Sequence, residues 1–339
     1  MKTFDWKQYV SNYNDLQHFK TKSRAWKHYT SYGIRERRTD KINLTPINLT
    51  QDHLIQEKIK VKIKVKNNLI PEKNNLIPDY LTPPINPAIV CIAKFESDYI
   101  VSFVKYHLAL GFEKIYVYDN EDRPVYQKLI NDPNVIVTHL PGKNYTKGVQ
   151  YIALDHFIRY FMKKHTHVSH IDIDEYITLK KHDSIKDFIK EFIHGNCGGI
   201  GMNWRFFGSN GKYFKEDIPE PIRFTRCQLH GNEHIKTLFD VKSFKNFNTV
   251  HDIISKKYIK ATNGTIIKGP FNKNIDFNFI QLNHYKCKIF SEFTFIRSRG
   301  RADLKHQIKE DILSQFKMYD TNEIEENTCS DFFKLNVKC

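Results

Sequence analysis

The 339-residue sequence lacks any uninterrupted apolar run of about 18 residues, which a membrane-spanning helix would require. Its first ten residues, MKTFDWKQYV, also lack the apolar segment of a signal peptide. The six cysteines lie far apart and include no CxxC pair, which argues against a cysteine-based zinc site and against a disulfide scaffold. We therefore expect reduced thiols, no transmembrane anchor and a cytoplasmic location.

Acidic residues are in the minority, with 38 Asp and Glu against 53 Lys and Arg, which gives a formal net charge of +15. This excess predicts an anionic partner, which can be a nucleic acid, an anionic membrane or a phosphorylated small molecule. Apolar residues make up 40% of the chain and charged residues 27%, as is typical of globular proteins. Composition alone does not choose among these partners.

Composition divides the chain into four segments. Residues 1–40 place aromatic side chains at helical spacing and predict a short helical module, a candidate protein-docking unit. Residues 41–87 contain the duplicated strings INLT and NNLIP among six prolines and predict a basic, low-complexity linker. Within it, the alternating stretch IKVKIKVK (59–66) is either a solvated tether or an edge strand. Residues 88–320 form the predicted catalytic domain and residues 321–339 a C-terminal tail.

From residue 88 onward, short apolar runs alternate with helical patterns. Strands are predicted at AIVCIAK, KIYVY, NVIVTHL and HVSHIDIDEYI, which begin at residues 88, 114, 134 and 167. Helices are predicted between them at 98–110, 124–130 and 148–161. This alternation predicts an α/β fold with a mostly parallel central sheet flanked by helices. Because ligands gather at the carboxyl ends of such strands, Asp119 and residues 172–175 are expected to share one binding edge.

The sequence Asp172-Ile173-Asp174-Glu175 carries the sharpest chemical signal. In an extended segment, alternation places Asp172 and Asp174 on one side. Two carboxylates on one side suit a hard divalent cation, which can neutralise the charge of a departing diphosphate. The competing interpretation is a solvated strand end, since acidic side chains are common at surfaces.

Ordered blocks over residues 88–305 resemble glycosyltransferases of the GT-A fold, in the group related to family 92 and to family 2-like sequences. CIAKFESDYIVSFVKYHLALGFEKIYVYDN resembles the opening of that group, HIDIDEYI its metal-binding DxD motif and NWRFFGSNG its acceptor-side loop. LNHYKCKIFSEFTFIRSRGRAD resembles its C-terminal block, although Phe95 and Phe103 replace the usual Asn and Trp. The resemblance implies a metal-dependent hexosyltransferase with Mn²⁺ or Mg²⁺. It would move a sugar from a nucleotide sugar, most simply a UDP-sugar, to a hydroxyl of a glycan or glycoprotein.

The resemblance also implies roles for individual residues. The implied donor-binding residues are Lys94, Glu96, Asp119, Asn120, Gln150 and Asp172. The implied metal ligands are Asp172, Asp174 and His284, with Glu175 behind them, and the implied acceptor residues are Trp204, Phe207, Gly208 and Ser209. Candidate phosphate contacts are Lys236, Lys288, Arg297, Arg299 and Arg301. Asp174 is the main catalytic candidate, and Glu292 or Glu233 could deprotonate the acceptor if the reaction inverts; a retaining reaction stays open.

Every one of these residues also has an ordinary structural interpretation. Asp119-Asn120 favours a turn, the aromatic residues of 203–211 suit a core, and His284 can be a core histidine. A nucleic-acid-binding protein or metal-dependent nuclease would also explain the +15 charge. We expect no specific nucleic acid, because no nucleic-acid motif is present. An inactive glycosyltransferase-like scaffold is the third alternative.

Two features of the sequence indicate the kind of organism from which the protein comes. The module at residues 1–40 resembles a short unit of bacterial and giant-virus proteins. Together with the slippage-like repeats of the linker, it predicts a giant DNA virus as the source. The protein would then be located in the host cytoplasm, the viral factory or the virion.

Overall fold

A computed structural model describes residues 84–142, 148–298 and 311–337, together with four single positions between residues 21 and 28. The chain divides into two compact units, Met1–Leu81 and Thr82–Cys339. The predicted helical module, apart from those four positions, and the predicted linker up to residue 83 lie outside the described residues.

Fourteen strands are present in the described part of the second unit. In chain order they are β1 (Pro87–Ala93), β2 (Lys114–Asp119), β3 (Val135–His139), β4 (His167–His170), β5 (Glu175–Leu179), β6 (Cys197–Phe206), β7 (Arg226–Cys227), β8 (Asn232–Asp240), β9 (Phe244–Phe247), β10 (Ile253–Ser255), β11 (Tyr258–Lys260), β12 (Ile266–Ile267), β13 (Ile280–His284) and β14 (Ile324–Glu325).

Eight α-helices accompany them among the described residues. They are α1 (Ile100–Ala109), α2 (Tyr126–Leu129), α3 (Val149–Tyr160), α4 (Ile185–Phe192), α5 (Glu220–Arg223), α6 (Phe290–Arg297), α7 (Ile312–Tyr319) and α8 (Thr328–Asn336), and a 3₁₀ turn spans Met162–Lys164. None of the helices in these ranges combines the length and the apolar character that crossing a bilayer demands.

A ten-stranded sheet organises the unit, in the order β12-β11-β6-β8-β4-β1-β2-β3. Strand β13 lies beside the second half of β6 and pairs on its other side with β5. Strands β1 to β4 are parallel to their neighbours within that group, as are β6, β11 and β13 within theirs, whereas β8 runs antiparallel between β4 and β6. The sheet is therefore mixed and mostly parallel, and helices flank it, which confirms the expected α/β class.

Alternation along β1 divides the core between the two faces of the sheet. Ile89 and Cys91 belong to the larger apolar cluster with Phe103 of α1, whereas Val90 belongs to a second cluster with Phe157 of α3. A strand buried on both faces needs apolar residues at successive positions, which is why its sequence reads as one continuous apolar run. The first three predicted strands and the helices between them are confirmed, with shorter helices than expected.

The predicted strand 167–177 is wrong in its middle. Strand β4 ends at His170, residues 173–174 form a turn, and β5 starts at Glu175 as the antiparallel partner of β13. The turn is closed by two hydrogen bonds: the Glu175 amide donates to the Asp172 carbonyl at 3.0 Å, and the Asp172 amide donates to Glu175 Oε2 at 2.9 Å. The Asp-Ile-Asp segment therefore lies in a turn, where strand alternation does not apply.

The predicted C-terminal tail is also part of the folded unit. Strand β14 pairs with β7, and α8 places Cys329 and Phe333 in the larger apolar cluster. Its sequence, TCSDFFKLN, has few apolar positions, so the sequence alone does not predict that this helix belongs to the core. The folded unit therefore extends beyond residue 320, to at least residue 337.

Candidate functional site

The turn between β4 and β5 lies at the carboxyl end of β4, where a ligand site is expected. Gln150 of α3 donates through Nε2 to Asp172 Oδ1 at 3.0 Å, and Lys236 of β8 donates through Nζ to Asp172 Oδ2 at 3.2 Å. Both carboxylate oxygens are thus held by protein donors, although one third (34%) of the Asp172 side chain is still exposed. Asp172 is a fixed, partly accessible carboxylate.

Lys236 is fully buried and lies between two acids, with Nζ 3.7 Å from Glu175 Oε2. Burial disfavours its charge, but Asp172 and Glu175 outweigh burial and raise the pKa of Lys236. Burial likewise opposes ionisation of Asp172, yet Lys236 prevails and lowers the pKa of Asp172 to about 2. For the fully buried Glu175, burial prevails and raises the pKa. One ammonium therefore stabilises the charge of Asp172, whereas burial makes the charge of Glu175 more costly.

Asp174 lies opposite His284, the last residue of β13. The His284 Nε2 atom is 3.5 Å from Asp174 Oδ2, and the Tyr285 amide donates to the Asp174 carbonyl at 2.8 Å, which ties β13 to the turn. Burial lowers the pKa of His284 despite the nearby Asp174, so the imidazole is neutral at pH 7. The contact is therefore one between a carboxylate and a neutral ring nitrogen.

Glu175 lies behind this pair. Its Oε1 atom and His284 Nδ1 are 4.0 Å apart, and both are buried without a hydrogen-bond partner among the described residues. A second carboxylate behind an imidazole is the arrangement that orients a metal-binding histidine. In the described ranges, no three His, Cys, Asp or Glu side chains gather as one metal cluster. Of the three predicted ligands, the structure thus brings Asp174 and His284 to within 3.5 Å of each other.

The spacing of this pair fits a cation. Metal bonds of about 2.1 Å place neighbouring ligand atoms about 3 to 3.5 Å apart. The observed 3.5 Å between carboxylate and imidazole lies within that range. Carboxylate and imidazole together suit Mn²⁺ better than they suit Mg²⁺, which favours oxygen ligands.

A row of four aromatic rings leads from the surface to Asp174, and we call it the aromatic row: Phe271, His234, Trp204 and His284. Successive ring centroids are 4.6, 4.8 and 4.5 Å apart. The first ring is 47% exposed and the last 4%, so the row runs inward from solvent. The Trp204 Nε1 donor is buried and has no acceptor among the described residues. An unpaired buried donor is costly, so this position suits a ligand oxygen or a bound water.

The carboxylate of Asp119, a predicted donor contact, is bound within the fold. The side chain is fully buried, and it accepts hydrogen bonds from the amides of Glu121 at 3.0 Å, Val125 at 2.8 Å and Tyr126 at 3.2 Å. These bonds close the β2–α2 loop, as the turn interpretation of this pair anticipated. Asn120 is also buried and donates to the Leu140 carbonyl at 2.7 Å.

The two predicted donor residues after β1 are likewise bound within the fold. Lys94 donates to the Asn120 carbonyl and to Asp122 Oδ1, both at 3.2 Å. Glu96 is buried, and its amide donates to the Tyr126 hydroxyl at 3.0 Å. These contacts join the β1 loop to the β2 loop. Of the predicted donor set, the structure brings only Gln150 and Asp172 together at the turn.

The predicted acceptor loop packs against the C-terminal segment. Phe207 is buried and its ring is 4.8 Å from that of Tyr285, while the Ser209 amide donates to Asp320 Oδ1 at 2.7 Å. A β-carbon on Gly208 would come within 2.5 Å of the Thr321 carbonyl oxygen, so only glycine permits this approach. These three residues are structural, and Trp204 alone of the acceptor set joins the site.

Glu292, the predicted base, is held in a buried ion pair. Arg223 Nη2 donates to both of its oxygens at 2.7 and 2.6 Å, and the Tyr99 hydroxyl donates to Glu292 Oε1 at 2.8 Å. The neighbouring pair Lys288–Glu220, at 2.8 Å, is equally buried. A cavity of about 260 Å³ borders this cluster between α1, α5 and α8, and none of the turn residues lines it. Both oxygens of Glu292, the predicted base, are thus occupied by hydrogen bonds from Arg223 and Tyr99.

Sequence reasoning missed His234, Phe271 and Lys286. Residues two apart on a strand share a face, so His234 follows from Lys236 on β8. The same rule connects Trp204 with Phe206 on β6. Phe271 has no such signal, because an isolated bridge to His234 brings it to the site. Glu233 accepts the Asn272 amide through its carbonyl, and no further contact connects it with the turn in the described residues.

Comparison with known proteins adds no family assignment. No family model and no curated protein matches the chain. Similar solved structures include the protein Rv0371c of Mycobacterium tuberculosis H37Rv, with 9% identity, 36% of this chain and 68% of that chain covered and a TM-score of 0.26. They also include a Bacillus anthracis protein assigned as a glucose-1-phosphate thymidylyltransferase, in complex with sucrose, with 13% identity, 47% and 72% coverage and a TM-score of 0.27. Likenesses this slight carry no functional argument, which rests on the site itself.

Proposed function

We propose that this protein is a metal-dependent glycosyltransferase that moves a sugar from a nucleotide sugar, most simply a UDP-sugar, to a hydroxyl of a glycan or glycoprotein. The observation that supports it best is the pairing of Asp174 with neutral His284, 3.5 Å apart and with Glu175 behind them. This pair lies at the strand-end edge of an α/β sheet, where such folds bind their ligands.

Asp174 and His284 would hold the cation, Mn²⁺ or Mg²⁺, and diphosphate oxygens and water would complete its ligand shell. When bound, the cation supplies charge neutralisation to the leaving diphosphate. Asp172, whose oxygens are held by Gln150 and Lys236, would orient the donor without having to reorganise. Rigid placement of this kind lowers the entropic cost of reaching the transition state.

The aromatic row provides the surface for sugar rings. Aromatic faces pack against the apolar faces of sugars, and a few polar groups fix their orientation. Trp204 Nε1, which has no acceptor among the described residues, would donate to a sugar hydroxyl. The row continues outward through His234 to the exposed Phe271. We assign the acceptor side to this row and no longer to residues 207–209.

The test is donor turnover. The full chain is incubated with a panel of UDP- and GDP-sugars and Mn²⁺, and nucleotide release is measured with and without an added glycan. We expect release with at least one donor, at least 100-fold slower in Asp174→Ala and unchanged in Asp183→Ala, because Asp183 is an exposed aspartate outside the site. The proposal is wrong if no donor is turned over. Salt-sensitive binding of DNA or RNA in that case would favour the nucleic-acid alternative.

A further inference from the structure

Of the predicted phosphate-binding cations, Arg299 and Arg301 lie outside the described residues, Arg297 lies over the Phe293 ring at 5.0 Å from its centroid, and Lys236 and Lys288 form ion pairs within the protein. A diphosphate placed beside Asp174 and His284 attracts any cation near it, because phosphate groups are commonly bound by Lys or Arg. Lys236, however, is committed to Asp172 and Glu175, and Lys288 to Glu220. Both lysines are buried and cannot reach a ligand.

Lys286 differs from both of these lysines. It is only partly buried, and its ammonium lies 4.1 Å from the Tyr319 ring centroid and 5.8 Å from that of Phe206. In the part of the chain that the structure describes, it makes no ion pair with a carboxylate. A cation over aromatic rings is held in place while its charge is not neutralised. Two aromatic rings therefore position the Lys286 ammonium, and no carboxylate among the described residues pairs with it.

The position of Lys286 connects it with the metal pair. It follows His284 by two residues, and the Phe206 ring that it contacts is 5.2 Å from the His284 ring. Through Phe206, Lys286 thus lies next to the inner ring of the aromatic row.

We propose that Lys286 binds the diphosphate of the nucleotide-sugar donor, with Tyr319 and Phe206 positioning its ammonium beside the Asp174–His284 pair. This inference rests on the proposed function and names the group that would hold the leaving phosphates. It assigns to Lys286, in the β13–α6 connection, the role that was predicted for Lys236 and Lys288.

The test is ligand binding, independent of turnover. Calorimetric titrations of the full chain with UDP, inorganic pyrophosphate and uridine, each with Mn²⁺, compare the wild type with Lys286→Met and Lys286→Arg. Lys181→Met is a matched control, because Lys181 also lies over an aromatic ring, 4.1 Å from the Phe279 centroid, beyond the opposite end of β5. We expect Lys286→Met to weaken UDP and pyrophosphate binding about 10- to 100-fold, the usual effect of losing one charge-assisted contact. Uridine binding and Lys181→Met should match the wild type, and Lys286→Arg should retain most of the affinity.

The outcomes separate the two proposals. If the wild type binds UDP, Asp174→Asn loses it and Lys286→Met does not, the proposed function stands and the role of Lys286 is wrong. If the wild type binds neither UDP nor pyrophosphate, both are wrong. Should Lys286→Met fail to fold, as judged by its melting temperature, Lys286→Gln replaces it, and normal pyrophosphate binding by that variant overturns the inference.

Discussion

Burial decides what each carboxylate of this protein can do. A buried carboxylate is costly unless donors surround it, and Asp119 and Glu292 each accept several hydrogen bonds from the protein. Asp172 is one-third exposed, and its two oxygens are held by Gln150 and Lys236. Asp174 lies 3.5 Å from the imidazole of His284, and this contact is the reason we propose it as a ligand of the cation.

Replacing Lys236 by Met should lower the free energy of unfolding by about 1 to 3 kcal/mol, since the change removes the buried counter-charge of Asp172, which is itself one-third exposed. Urea unfolding measures the loss. The double variant Lys236→Met/Asp172→Asn should recover part of it, because the unpaired charge is gone. A double variant no more stable than the single one would mean that Lys236 stabilises the fold through packing alone.

Replacing Trp204 by Phe should separate stability from binding. The variant keeps an aromatic ring in the row and removes a buried N–H donor that has no acceptor among the described residues, so unfolding free energy should fall by no more than about 1 kcal/mol. Binding of UDP should stay within twofold, whereas binding of a UDP-sugar or the glycan acceptor should weaken about tenfold. Equal weakening of UDP and UDP-sugar would contradict a sugar contact at Trp204.

At the scale of elements, the sequence predicts what is locally encoded. Strands β1 to β3 are apolar runs bounded by turn residues, and Gly111, at φ +103°, ends the α1 region as expected. The turn at residues 172–174 follows from the pairing of β5 with β13, whose partners are about a hundred residues apart in the chain, so no local pattern shows it. The position of helix α8 in the core is likewise not predictable from its local sequence, since contacts with α1 define its apolar side. Strand spacing could have added His234 to the site, but nothing local indicates Phe271.

Helix α8 should stabilise the whole unit through Phe333. That ring is 2% exposed and stacks on Tyr106 of α1 with centroids 6.0 Å apart. Phe333→Ala should cost about 3 to 5 kcal/mol of unfolding free energy, the usual effect of deleting a buried aromatic ring. Leu335→Ala is the control on the same helix, because Leu335 is 83% exposed, and it should stay within about 0.5 kcal/mol. Equal, small effects would show that residues 328–336 are not integral to the core.

Over the whole molecule, buried neutral histidines make stability depend on pH. Burial lowers the pKa of His107 to about 3 and those of His165 and His167 to about 4, from an ordinary value of 6.5. A histidine whose native pKa is depressed adds stability above pH 6.5 and loses it as pH falls toward the native pKa. Glu220 opposes this trend, because burial raises its pKa to about 7, so that its stability contribution grows as pH falls. The dependence of the wild-type unfolding free energy on pH is therefore the sum of opposing contributions from the histidines and Glu220. Only a variant at one of these residues can measure a single contribution.

His107 is the residue at which the contribution of one buried histidine can be measured, because two hydrogen bonds define its neutral form. The ring donates through Nδ1 to the Phe103 carbonyl at 2.9 Å and accepts the Ile177 amide through Nε2 at 3.3 Å, so a second proton would displace the amide. Near pH 5 the unfolded chain binds one proton at this residue that the native state does not. His107→Gln should therefore reduce the slope of unfolding free energy against pH by about 1.4 kcal/mol per pH unit, measured by urea unfolding between pH 4.5 and 6. The exposed His194, replaced by Gln, should leave that slope unchanged. Identical slopes for wild type and His107→Gln would mean that the buried imidazole is not excluded from protonation, and acid sensitivity would then have to come from the carboxylates.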